Sequence, residues 1–155
     1  MASDPHESVV VSQAVIGCDA AARVLEVAVV HARQLGVRIN VAVADSGGNL
    51  AAFLRMPGAF VQSIDIAIDK AYTAAGFGFS TGDWMQVIGH DEGMKLGFSA
   101  RPRLVVFGGG LPIRIDGVLI GGVGVSGASE AQDEACARAA LAAIGAEVTQ
   151  DNEQG

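Results

Sequence analysis

The 155-residue sequence has little charge, few aromatic rings and almost no cysteine. Charged side chains make up 17% of it, against about 25% in typical globular usage. So lightly charged a surface is expected to be covered in part by other subunits, which anticipates a homo-oligomer. There is no basic run, and the net charge of -7 repels a phosphate backbone, so neither nucleic acid nor acidic lipid is expected as a partner. No apolar run approaches the ~20 residues of a membrane span. The opening MASDPHES lacks the basic and apolar regions of an export signal, so a cytoplasmic location is expected. Cys18 and Cys136 lie in unrelated segments without C-x-x-C spacing, which argues against a zinc cage or c-type haem attachment and favours buried free thiols over a disulfide. The G-x-x-x-x-G-K-[ST] phosphate loop is absent as well. What remains is a chain of one domain, 50% hydrophobic, with a core over about 12–146 between flexible termini.

Glycine is plentiful, and eight of its 21 occurrences fall between Phe107 and Glu130. Ile113 to Ile115 and Val118 to Val125 are rich in β-branched residues and flank Asp116-Gly117, the pair suited to a two-residue type I′ turn. A hairpin follows. Gly121, Gly122 and Gly124 inside its second strand forfeit packing, which points to close approach of another backbone or a flat ligand, or to a bulge or crowded strand-helix contact. Gly122 to Gly127 also match G-x-G-x-x-G, but no second strand with an acidic residue follows, so dinucleotide binding is not expected.

In chain order, a short extended segment is expected at Val9 to Val11, then a helix from an Asp19 cap to Leu35 with Gly36 past its end. Strands Arg38 to Ala44 and Asn49 to Arg55 flank the turn residues Asp45 to Gly48. A helix over Val61 to Ala75 has a sheet-facing stripe of Ile64, Ala67, Ile68, Ala71 and Ala75. Its second, mixed face carries Ile66, Asp69, Lys70, Thr73 and Phe77, which suits a pocket or a subunit contact. A short helix follows Ser80 and ends near Ile88, residues 89–103 read as a long loop, and Leu104 to Phe107 as a strand. The last helix opens on the capping box Ser129 to Gln132 and runs to about Ala146, before a polar tail. Without β-α-β alternation, this order predicts an α+β fold with a five-stranded antiparallel sheet.

The stretches VAVADSGGNLAAFLRM (Val41 to Met56), SIDIAIDKAYTAAGF (Ser63 to Phe77), GGGLPI (Gly108 to Ile113) and DGVLIGGVGVSGASEAQDEACARAAL (Asp116 to Leu141) resemble the GlcG/HbpS family, which includes the C-terminal domain of PduO-type proteins. The resemblance implies a profilin-like α-β-α sandwich that assembles into dimers, tetramers or octamers. Some members bind haem, and at least one type degrades it. By position in the motifs, Lys70, Thr73, Gly108, Gly109, Gly110 and Pro112 are the implied pocket residues, with His31, Thr73 and His90 as candidates for approach to haem iron. His31 is the better imidazole by placement and the metal-ligating candidate, whereas a threonine oxygen would hold iron weakly.

Two chemistries are therefore expected. One is haem bound in an apolar, glycine-lined groove. The alternative is an enzyme without a redox cofactor, of lyase or isomerase type, acting on a small organic acid or carbonyl compound. There Lys70 would be the base or Schiff-base amine, with Asp69 and Asp65 on its helix, Gly108 to Gly110 as oxyanion donors, and Asp133 or Glu134 as a further carboxylate. No carboxylate stands three or four residues from Lys70, so any partner must come from elsewhere in the fold. Asp133 and Glu134 would in any case stabilise the start of their helix. A third reading, an assembly module without a site, follows from the low charge.

Overall fold

The computed structural model describes residues 8–148; the outermost parts of both expected flexible ends, including most of the polar tail, lie outside the described residues. The elements are α1 (Cys18–Leu35), β1 (Asn40–Asp45), β2 (Leu50–Arg55), α2 (Ser63–Phe77), α3 (Trp84–Ile88), α4 (Glu92–Ser99), β3 (Gly110–Ile115), β4 (Val118–Ser126) and α5 (Glu130–Ala143). The strands form one antiparallel sheet in the order β2-β1-β4-β3.

Among the described residues the sheet has four strands, not the expected five. Leu104 to Phe107 does not join it: the Val105 N–H donates to Thr73 Oγ1 at 3.2 Å, so this apolar run lies along α2. Val9 to Val11 form no strand and stand exposed. The expected loop 89–103 contains α4, started by Asp91, whose Oδ1 accepts from Met94 N at 3.0 Å. Gly93 and Gly97 hide this helix from propensity reasoning.

Alternation along β1 builds a layer on each side of the sheet. Val41 and Val43 point with Val123, Val125 and Ile113 into the large core beneath α1 and α5. Ala42 and Ala44 point the other way, onto Ala67, Ala71 and Ala75 of α2. The glycines of β4 explain how close that helix comes. A Cβ on Gly124 would collide with the Ala67 carbonyl and stand 2.5 Å from the Ala71 nitrogen, and one on Gly122 would collide with the Ala71 carbonyl. What comes close there is α2 itself, the crowded strand-helix contact that stood as the alternative to a flat ligand.

Local signals are realised closely elsewhere. Asp116 and Gly117 have φ of 50° and 78°, as a type I′ turn needs. The Ser129–Gln132 capping box is formed. The cap of α1 is Gly17, with Asp19 inside the first turn instead. Cys18 is exposed and Cys136 buried, neither in a disulfide, and burial pushes the Cys136 thiol up to about 11.

Candidate functional site

Helix α2 is buried on two sides. Its alanine stripe lies on the sheet, and the adjoining stripe carries Lys70 and Thr73, each only 1% exposed. The Lys70 Nζ donates to the Val125 carbonyl at 2.8 Å and lies 3.4 Å from Asp133 Oδ2. Asp133 Oδ1 in turn accepts from the Ala128 N–H at 3.0 Å. Here is the partner that α2 itself cannot supply, and the contact ties α2, β4 and α5 together. Burial drives the Lys70 amine below its usual range, against the opposing attraction of Asp133 and Glu130. Burial likewise raises the Asp133 carboxyl, although Lys70 and the backbone N–H groups pull it down. The Phe107 ring covers the amine, its centroid 5.1 Å from Nζ.

Thr73 donates to the Arg103 carbonyl at 3.0 Å and accepts from Val105 N–H, so its hydroxyl is engaged in both directions. Asp69 pairs with Arg103 Nε at 3.0 Å, and that guanidinium stacks on Tyr72 at 3.7 Å. Asp65 is exposed. The glycine loop sits beside Lys70: a Cβ on Gly109 would be 2.5 Å from Nζ. The Gly108 N–H donates to Glu130 Oε1 at 2.6 Å and the Gly110 N–H to Thr81 Oγ1 at 2.9 Å, so two of the expected oxyanion donors already have acceptors.

The two histidine candidates lie apart. His31 is half-buried on α1, across the sheet from α2, and His90 is exposed between α3 and α4. Pro112 lines a cavity of about 30 Å³ with Leu111, Arg114 and Leu141. Glu134 pairs with Arg138 at 3.1 Å. An open hollow of about 510 Å³ between α3 and α4, lined by Met85, Lys95 and Leu96 among others, contains none of the expected site residues. Among the described residues no group of three His, Cys, Asp or Glu side chains is arranged to hold a metal ion.

Sequence reasoning missed Glu130, Thr81, Arg103 and the cluster in which Phe77, Phe79 and Phe98 surround Trp84. Only an isolated aromatic at each position marked that cluster in advance. As folded, the Lys70 amine stands between α2 and the glycine loop, and Thr73 is covered by residues 103–105.

A four-stranded antiparallel sheet with α1 and α5 on one face, and a two-sided α2 against glycines on the other, defines a three-layer α+β protein. The chain belongs to the family described as haem degrading protein HbpS-like, whose model matches residues 16–142. It is 36% identical over 129 residues to an uncharacterized 15.0 kDa protein of the dhaT-dhaS intergenic region of Citrobacter freundii, covering 83% of this chain and 91% of that one. It is 37% identical over 118 residues, 76% of its length, to the corrinoid adenosyltransferase PduO of Salmonella typhimurium, but spans only 35% of that protein. Among solved structures, the PduOC:heme complex is similar with a TM-score of 0.80 and 33% identity, over 88% of this chain and 99% of that one.

Proposed function

We propose that this chain is a haem-binding protein of the HbpS type that works as a homo-oligomer. The supporting observation is the family match over residues 16–142, joined to a 33% identical relative whose structure is described as a heme complex. The proposed binding face is the Thr73 side of α2 with Gly108, Gly109, Gly110 and Pro112. With His31 across the sheet, its imidazole serves a ring at that face only from a second copy of the chain. Titration with haemin is expected to develop a Soret band at micromolar protein, altered in Thr73→Ala and in His31→Ala. A featureless titration rejects the proposal. Degradation of the ring belongs to the same reading and is checked by decay of that band under reductant and oxygen.

A second reading, proton transfer on a small organic acid or carbonyl compound, is favoured by one observation: a buried amine, driven toward its neutral form, beside a carboxyl group. Asp69 is directed to Arg103 and away from this pair. Any turnover found by a substrate screen is expected to vanish in Lys70→Ala, and unchanged turnover in a folded variant would exclude Lys70.

A further inference from the structure

Three successive turns of α2, at Asp69, Thr73 and Phe77, carry side chains that line up one above the other, because residues four apart share a helix face. All three are held by one segment of chain. Asp69 pairs with Arg103, Thr73 bonds to the backbone of Arg103 and Val105, and the Phe77 ring meets Phe98 edge-on at 6.3 Å. Phe98 also covers Trp84, with centroids 5.3 Å apart.

That segment, residues 92–107, is lightly anchored. No residue of α4 is buried, and Leu96 is 73% exposed. Val105 alone of residues 92–107 is buried. Arg103 has φ of 64°, a conformation uncommon for a side-chain-bearing residue. Segments with little buried apolar area and few internal anchors open at low free energy without global unfolding. Trp84 Nε1, beneath the segment, is buried with no acceptor among the described residues. A buried indole N–H ordinarily finds one.

We propose that residues 92–107 are a strap that lifts from α2 to admit a flat, apolar, carboxylate-bearing ligand onto the wall of Phe77, Phe79 and Trp84, with Thr73 at its edge. The Arg103 contacts to Asp69 and Tyr72 are the latch. Lifting frees the Thr73 hydroxyl and removes Phe98 from the Trp84 ring, which leaves a stacking surface and an indole N–H able to meet a carboxylate. This deepens the haem reading and rests on it for the identity of the ligand; the movement itself is tested without haem.

In the full-length chain carrying Cys18→Ser, Thr73→Cys is labelled with a thiol reagent, with buried Cys136 as the internal reference. The cysteine at position 73 should react well ahead of Cys136, and adding Arg103→Ala should speed it by about tenfold, the sum of a partly exposed ion pair and a stacked cation. Hydrogen exchange on the unmodified protein supplies a second measurement, in case Thr73→Cys disturbs the fold. Amides of 92–107 should exchange far ahead of those in β4, and faster again in Arg103→Ala. Haemin should then quench Trp84, the one tryptophan, with an association rate raised by a similar factor in Arg103→Ala. Labelling at position 73 no faster than at Cys136, or exchange of 92–107 as slow as β4, overturns the strap. If the strap opens as described while haemin leaves Trp84 emission unchanged, the strap stands and the haem reading falls.

Discussion

Lys70 and Asp133 leave water together, so losing one and losing both have different consequences. Removing a single partner strands the other in the interior, and Lys70→Met or Asp133→Leu alone is expected to destabilise the fold by about 3–5 kcal/mol. The double variant Lys70→Met/Asp133→Leu should be near neutral or more stable than the parent, since well-packed apolar groups replace a desolvated pair. Urea midpoints of the four proteins check this. The pair also shapes the pH profile. The folded Asp133 carboxyl is raised above its ordinary 3.8, so just above that value the native state holds an extra proton and stability falls as pH rises. The folded Lys70 amine is lowered below 10.5, so approaching that value from below the unfolded chain holds the extra proton and stability recovers as pH rises. The double variant should lose this dip at intermediate pH. The sequence made Lys70 legible as a residue without a helical neighbour of opposite charge. It gave no means of choosing Asp133 over Glu134, because the choice depends on which side of α5 meets β4.

Among the elements, α2 and β4 form the contact on which the site depends. Their small residues face each other without intervening side chains, so Gly124→Ala forces the helix outward or the strand inward. Overpacking of this kind typically costs about 1–3 kcal/mol, and the loss should appear as a lower thermal midpoint with the sheet retained by circular dichroism. The hairpins, the α2 stripe and the α5 cap could be read in advance because each rests on residues close in sequence: Asp116-Gly117, Ala67 with Ala71, and Ser129 with Gln132. The run Leu104 to Phe107 misled, because its β-branched residues suit a strand equally well when they lie along a helix. α4 escaped notice for the opposite reason, since two glycines in eight residues mask a helix that a single Asp91 cap starts.

For the whole molecule, the surface is the clue. Phe60, Val61, Leu50, Leu54 and Val30 stand exposed on a chain with few charges to keep copies apart. Sedimentation is expected to give a mass that is a multiple of 15.7 kDa, and a monomer at micromolar concentration would remove the proposed role of His31 from a second copy. The large core beneath α1 and α5 gathers the valines of β1 and β4, whereas the far face holds five small alanines and the backbone of a glycine strand.

That inequality between the two faces gives the protein a robust back and a delicate front. Apolar burial concentrates behind the sheet, so heat or denaturant should loosen the α2 side first while the back remains intact. A ligand arriving at the front would then act as the missing mortar, and the largest gain in rigidity on binding would be found there.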